Sequence, residues 1–364
     1  SAKSLLAVQA AEALGAPLLV LAPGRIEAEA IHEDLLTFAG EDAATLFPAW
    51  EVLPSDTMAP ADDIVAERMN TLERLATALE TNTPLHVVCP VRAFMQYVAD
   101  RRRLLGDTLS LCVGEERDLH DLLERLIAMG YEREVMVERR GEVSARGGIV
   151  DVFPISSELP CRIEFFGDEI ESIRLFEPET QRSVERLDTV RLLPRSEKRA
   201  LVQDGQAGNL TSLAAYLPKN TLVVFDEPNA LHEAVERLAP QLEGSRFHMS
   251  WEDAEKALGR LARLELAQVG YGPAGADREG YVRAAMHSMA QWTGHIDEFW
   301  EQLRHWDAEG YAVRLLCVNT GERRRLYELL EEQGYRPGQD AFDLQIEIGR
   351  LRAGFTSPDD KLAV

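Results

Sequence analysis

No apolar run in this sequence approaches the roughly 20 residues that a membrane-spanning helix needs. The opening segment, SAKSLLAVQAAEALGAP, carries Glu12 inside its apolar stretch and reads as an amphipathic helix, not a signal peptide. Cysteine is sparse. Cys89, Cys112, Cys161 and Cys317 lie far apart with no CxxC spacing, which excludes a zinc ribbon or a disulfide framework and fits buried free thiols in a reducing cytoplasm. The eight histidines (His32, His86, His120, His232, His248, His287, His295 and His305) are scattered, with no paired metal ligands and no Ser/His/Asp set among them. Positive charge is also short: 39 basic residues face 62 acidic ones, for a net charge of −23. Such a surface repels phosphate backbones, so proteins are better partners than nucleic acid. The basic clusters Arg101-Arg102-Arg103 and Arg323-Arg324-Arg325 sit in helical sequence dense in acids and read as solvated helix faces.

At 364 residues, 45% apolar and 28% charged, the chain is soluble in composition and too long for a single compact core. Its first part alternates helices (Leu5–Leu14, Arg25–Phe38, Ile64–Leu79, Val91–Val98) with short apolar strands, PLLVLAP at 17–23 and LHVVCP at 85–90. In the third helix Ile64, Arg68, Leu72, Leu75 and Leu79 share one stripe, and Asp62 and Asp63 are N-cap candidates. This alternation predicts a parallel α/β sheet. The pattern changes near Leu109. After a helix at Leu119–Met129, five short strands are expected at Val135–Glu138, Gly148–Phe153, Cys161–Phe166, Glu169–Phe176 and Thr189–Leu193, with Gly167-Asp168 as a hairpin turn. The α/β pattern returns with a helical Leu213–Leu217, the strand TLVVFDEP at 221–228 and a helix at Ala230–Leu238. A glycine-rich segment at Val269–Glu279 suggests a linker. Beyond it, helices at Ile296–Glu309 and Glu322–Gln333 and strands in AVRLLCV, DLQIEIGRL and KLAV predict a separate small α/β domain. The expected division is an α/β sheet at 1–112 and 194–265, an inserted antiparallel β-module at 113–193, and a C-terminal domain at 266–364.

Three segments carry chemistry. Lys3 and Ser4, opening a helix, match the last two positions of a phosphate-binding loop, where Lys supplies charge and Ser holds Mg²⁺. Ala2 stands where glycine is required, so the loop is degenerate, the signal is very weak, and a solvated Lys is the default reading. The strand Val223-Val224-Phe225 ends in Asp226-Glu227, the acids of a Mg²⁺-holding, water-polarising element, although many strands end in acids. Third, period-two alternation in RIEFF puts Ile163 and Phe165 on a core face and Arg162, Glu164 and Phe166 on the other. An Arg and an exposed Phe on one face, with Arg146 at a nearby turn, have the composition of an interface hot spot. An Arg–Glu pair with Phe166 packed under a loop explains the same residues, and both readings stand on chemistry alone.

At these residues the sequence resembles the N-terminal region of the bacterial transcription-repair coupling factor (Mfd) family. LFPAWEVLPSDTMAPADDIVAERMNTLERL resembles its Trp-Glu-x-Leu-Pro loop and following helix. GEVSARGGIVDVFPISSELPCRIEFFGDEIESIRLFEPETQRSVERLDTVRLLP resembles its UvrB-like β-module. UvrB shares that module but has an aromatic hairpin for which Trp50 to Ile64 leaves no room. UvrB also keeps an intact phosphate loop and reads Asp-Glu-Ser-His where this chain has Asp226-Glu227-Pro228-Asn229. The resemblance implies a helicase-like sheet without nucleotide chemistry, and a module that docks onto UvrA through Arg146, Arg162 and Phe166. It also implies a monomeric cytoplasmic repair adaptor whose docking face is masked by the C-terminal region of a longer protein. ATP, Mg²⁺, DNA and RNA polymerase would be engaged only by domains beyond Val364. The rival reading is a UvrB-like ATP-dependent enzyme acting on damaged DNA, with nucleotide at Lys3 and Asp226; a purely structural scaffold is the third.

Overall fold

A computed structural model describes the chain except residues 52–60, 198–200, 203–204, 206–208, 269–281, 290–295 and 339–340. Helix α1 (Ala2–Leu14), strand β1 (Leu18–Ala22), helix α2 (Arg25–Ala39), strand β2 (Ala44–Leu46), helix α3 (Asp62–Thr81) and strand β3 (His86–Pro90) follow one another. Short helices α4 (Val91–Phe94) and α5 (Arg101–Asp107) lead into the module. The module contains β4 (Leu109–Cys112), α6 (Leu119–Ala128), β5 (Glu132–Arg133), β6 (Glu142–Arg146), β7 (Ile149–Val152), β8 (Cys161–Phe166), β9 (Glu169–Phe176), β10 (Ser183–Leu187) and β11 (Thr189–Leu192). A single 3₁₀ turn at Leu213–Tyr216 returns the chain to the first sheet through β12 (Leu222–Asp226), α7 (Pro228–Leu242), α8 (Trp251–Leu258) and β13 (Ala262–Leu266). The C-terminal unit holds β14 (His287–Ser288), α9 (Ile296–Glu309), β15 (Ala312–Cys317), α10 (Thr320–Glu332), β16 (Leu344–Ile348), β17 (Phe355–Ser357) and β18 (Leu362–Ala363).

The first sheet is parallel throughout, in the order β13-β12-β1-β3-β2. Strands β1 and β12 are buried at every position, and apolar except for Asp226 at the end of β12, because both faces are covered. Leu19, Leu21, Val87, Val223 and Phe225 point into a core closed by α3 and α7, through residues such as Met69, Leu72 and Leu231. The alternate residues Leu18, Val20, Val88, Leu222 and Val224 meet Ala7 and Val8 of α1 and Leu35 of α2. The module's six-stranded sheet runs β10-β9-β8-β7-β6-β5, antiparallel except for β5 beside β6. Leu122, Leu123 and Leu126 of α6 pack on its Val143, Val150, Ile163 and Ile173. Strands β4 and β11 pair antiparallel where the chain enters and leaves the module. The third unit is a mixed sheet, β14-β17-β18-β15-β16, covered by Trp300, Leu303 and Trp306 of α9 and Leu330 of α10.

Arg68 on the apolar stripe of α3 is fully buried. Its guanidinium donates to both Glu197 oxygens at 2.7 and 2.9 Å, to the Pro48 carbonyl at 2.7 Å and to Gln96 Oε1 at 2.9 Å. It also lies over the rings of Phe47 and Trp50. A charge so enclosed is tolerable only because each face has a partner.

Several expected elements differ. Asp62 and Asp63 lie in the first turn of α3 behind Ala61, where they complement the helix dipole but do not cap. The helix expected over Val91–Val98 stops at Phe94 because Tyr97 and Val98 donate their N–H groups to Phe247 and Thr211. Val135–Glu138 is not a strand. The Glu142 carboxylate accepts from the N–H groups of Glu138 and Arg139 at 2.8 and 2.9 Å, and the segment is a bend followed by irregular chain. The glycine-rich segment Val269–Glu279 lies outside the described residues, as does much of the loop between Trp50 and Ile64.

Candidate protein-docking face and a closed nucleotide pocket

The docking candidate is built on β6, β7 and β8. Gly147-Gly148 joins β6 to β7, and a Cβ at Gly148 would stand 2.9 Å from the Phe165 carbonyl, so the close approach of β8 requires glycine there. Phe165 N–H donates to Gly148 O at 2.7 Å, which fixes the register. Asp151 and Arg162 are direct cross-strand partners. Arg162 Nε and Nη2 donate to the two Asp151 carboxylate oxygens at 2.7 and 2.8 Å, and Nη2 also donates to Gln181 Oε1 at 2.7 Å. The guanidinium lies 4.5 Å from the centre of the Phe176 ring. Hydrogen bonding to Asp151 raises the Arg162 pKa further, so the charge is permanent.

Arg146, at the end of β6, reaches the same carboxylate at 3.7 Å while keeping its side chain 57% exposed. Arg162 is 21% exposed and Asp151 only 3%, so one buried acid holds two arginines, one fixed and one reaching outward. Glu164, next along β8, does not pair with Arg162. It accepts from Ser172 Oγ at 2.8 Å and from Arg174, and the Arg174 hydrogen bond holds its carboxyl below the usual range. The register shifts between Glu164 and Phe165, where β9 carries an extra residue. Before that bulge Ile163 lies in the core; beyond it Phe165 packs against the same core, and Phe166 stands 77% exposed at the hairpin end. Phe166 is therefore not packed under a loop, and the Arg–Glu pair forms with Arg174 instead.

Sequence reasoning missed Asp151 and Gln181. Asp151 could have been found: an acid between Val150 and Val152 in a strand demands a partner. Gln181 could not, since its position depends on a left-handed backbone (φ 58°) in the β9–β10 connection.

The structure also brings Lys3, Ser4, Asp226 and Glu227 together, at the N-terminal end of α1 and the end of β12. Lys3 Nζ forms ion pairs with Asp226 and, at 2.6 Å, with Glu227. Burial pushes the Asp226 carboxyl up, opposed by the charge of Lys3. Ser4 Oγ donates to Asp34 Oδ2 at 2.7 Å, a partner contributed by α2. The remaining cavity, lined by Lys3, Ser4, Asp34, Asp226 and Arg352 among others, is about 50 Å³, enough for a few water molecules. This arrangement does not fit a Mg²⁺-nucleotide: the lysine is neutralised by Asp226 and Glu227, and the serine is engaged by Asp34. Among the described residues there is no cluster of three or more His, Cys, Asp or Glu suited to a metal ion, and no helix long and apolar enough to cross a membrane.

Residues 109–197 match the family described as the UvrB interaction domain. The stretch that matches is the antiparallel module, set into a parallel α/β sheet and followed by a mixed-sheet unit. Among its relatives, the transcription-repair-coupling factor of Mycobacterium bovis is 33% identical over 261 residues, covering 71% of this chain and 21% of that protein. The Escherichia coli factor is 33% identical over 197 residues, 54% of this chain and 17% of that protein. The Bacillus subtilis factor is 27% identical over an alignment of 441 residues that takes in 100% of this chain and 37% of that protein. The chain is homologous to the N-terminal region of the transcription-repair-coupling factors, whose length it spans only in part.

Proposed function

We propose that this chain is a non-catalytic adaptor that recruits UvrA to stalled transcription in nucleotide excision repair, and that Arg146, Arg162 and Phe166 form the docking face. The observation that carries this is the exposed Phe166 on the same sheet as two arginines organised by Asp151. A large apolar group beside pre-positioned guanidinium groups is what a protein partner can bury with gain, since little side-chain freedom remains to be lost at Arg162. The proposed units are residues 113–193 for docking, 1–112 with 194–265 as the supporting sheet, and 266–364 as a separate C-terminal domain. In the longer protein, the same face contributes to autoinhibition by contacting the C-terminal region. ATP, Mg²⁺, DNA and RNA polymerase are left to a translocase motor and its neighbours. We place the chain in the cytoplasm as a monomer.

The test is retention of purified UvrA on the immobilised chain. Retention that disappears when Arg146 and Arg162 are both changed to Ala supports the reading, and equal retention by the variant removes it.

A further inference from the structure

The C-terminal unit reaches back across more than 300 residues of sequence to the closed nucleotide pocket. The segment after β16, residues 349–353, lies along α2 and the start of α1. Thr37 Oγ1 donates to the Arg350 carbonyl at 2.7 Å and accepts from Arg350 N–H at 2.9 Å, so one hydroxyl satisfies both backbone groups of that residue. Asp34 Oδ1 accepts from Arg352 N–H at 3.2 Å while Oδ2 holds Ser4. Arg350 Nη1 lies 3.6 Å from Glu33, and the Arg352 side chain lines the cavity that also contains Lys3 and Asp226. At Gly349 a Cβ would stand 2.6 Å from Thr37 Cγ2 and 3.5 Å from Leu316, so the segment is pressed between α2 and its own sheet.

We infer that the pocket abandoned by nucleotide is now a receptor for this chain's own 349–353 segment, and that Asp34 and Thr37 latch the C-terminal unit onto the first sheet. Asp34 is the shared element. At 2% exposure it needs donors, and it takes hydrogen bonds from Ser4 Oγ at 2.7 Å, from Ser1 Oγ at 2.8 Å and from the backbone of the latched segment at 3.2 Å, with the Ser1 amino group 3.6 Å away. The contacts to the segment are mostly to its backbone, so they demand a shape, with glycine at 349, more than particular side chains.

The test is hydrogen–deuterium exchange of the full chain, comparing the native protein with Asp34→Ala and, as a change milder than loss of a buried acid, with Thr37→Val. The expected result is slow exchange at the Arg350 and Arg352 amides in the native chain. Both variants should accelerate it by roughly tenfold while amides of β15 and α9 keep their protection. Fast exchange at Arg350 and Arg352 in the native chain, or unchanged exchange in the Thr37→Val variant, overturns the latch.

Discussion

The Asp151 carboxylate, almost wholly buried, receives two hydrogen bonds from the Arg162 guanidinium across the β7–β8 pair, at 2.7 and 2.8 Å. Asp151 therefore positions Arg162 without facing solvent itself. Asp151→Asn keeps the side-chain shape but forfeits the charge that fixes both arginines. UvrA affinity is predicted to fall about tenfold as Arg162 becomes free to rotate. In an Arg162→Ala background the same change should add little, because positioning acts only through the arginine; a double-mutant cycle by calorimetry reads this directly.

Phe166 separates docking from stability. At 77% exposure it contributes little to the module's core. Phe166→Ala is predicted to leave the thermal midpoint within about 1 °C of the native value while weakening UvrA binding by about 2 kcal/mol, roughly 30-fold. A matching loss of thermal stability would place the ring in the fold instead.

Arg68 gives the opposite case. Removing one partner of an enclosed ion pair leaves a buried charge, so Arg68→Ala is predicted to destabilise the first sheet by about 3–5 kcal/mol, read as a lower urea midpoint. Replacing Arg68 with Met and Glu197 with Gln together should recover much of that loss, since no unpaired charge then remains.

His248 supplies a pH dependence. Burial lowers its pKa from 6.5 to about 4, with help from the nearby Arg92 and Arg68 charges. Between those values the unfolded chain takes up a proton that the folded chain refuses. This contribution to stability is full above pH 6.5 and is lost progressively as the pH falls toward 4. His248→Gln can still hydrogen-bond toward Ser245 and Gln96, the native partners. The urea midpoint of this variant should fall less than that of the native chain between about pH 7 and about pH 4.5.

The closed pocket predicts silence toward nucleotide. Titration with Mg-ATP should give no saturable heat, and Lys3→Ala should change nothing in that titration, because Lys3 is committed to Asp226 and Glu227. Saturable binding lost on changing Lys3 would favour the UvrB-like enzyme instead.

Much of this architecture was legible from local pattern. The ends of β8 and β9 follow from alternation around the Gly167-Asp168 turn, and those of α9 from its periodicity. The short apolar runs in PLLVLAP and TLVVFDEP, bounded by prolines or acids, announced a doubly covered parallel sheet. Tertiary partners decided the rest. Val91–Val98 is cut short by pairing with residues more than 100 positions away, and β13, whose residues are mostly exposed, becomes a strand only because β12 offers an edge. In the docking face, alternation turned Phe166 away from the core, but it could not separate Glu164 from Arg162. That separation depends on Arg174 arriving from β9. The use of Asp34 by both Ser4 and Arg352 likewise lies beyond periodicity, because it joins three distant segments at one carboxylate.

The most direct test of the central claim is calorimetric titration of UvrA into this chain, alongside Arg146→Ala, Arg162→Ala and Phe166→Ala variants whose melting matches the native protein. Saturable binding by the native chain, lost or reduced by at least about tenfold in each variant, is the predicted result. Absence of native binding, or variants that bind as tightly as the native chain, would contradict it.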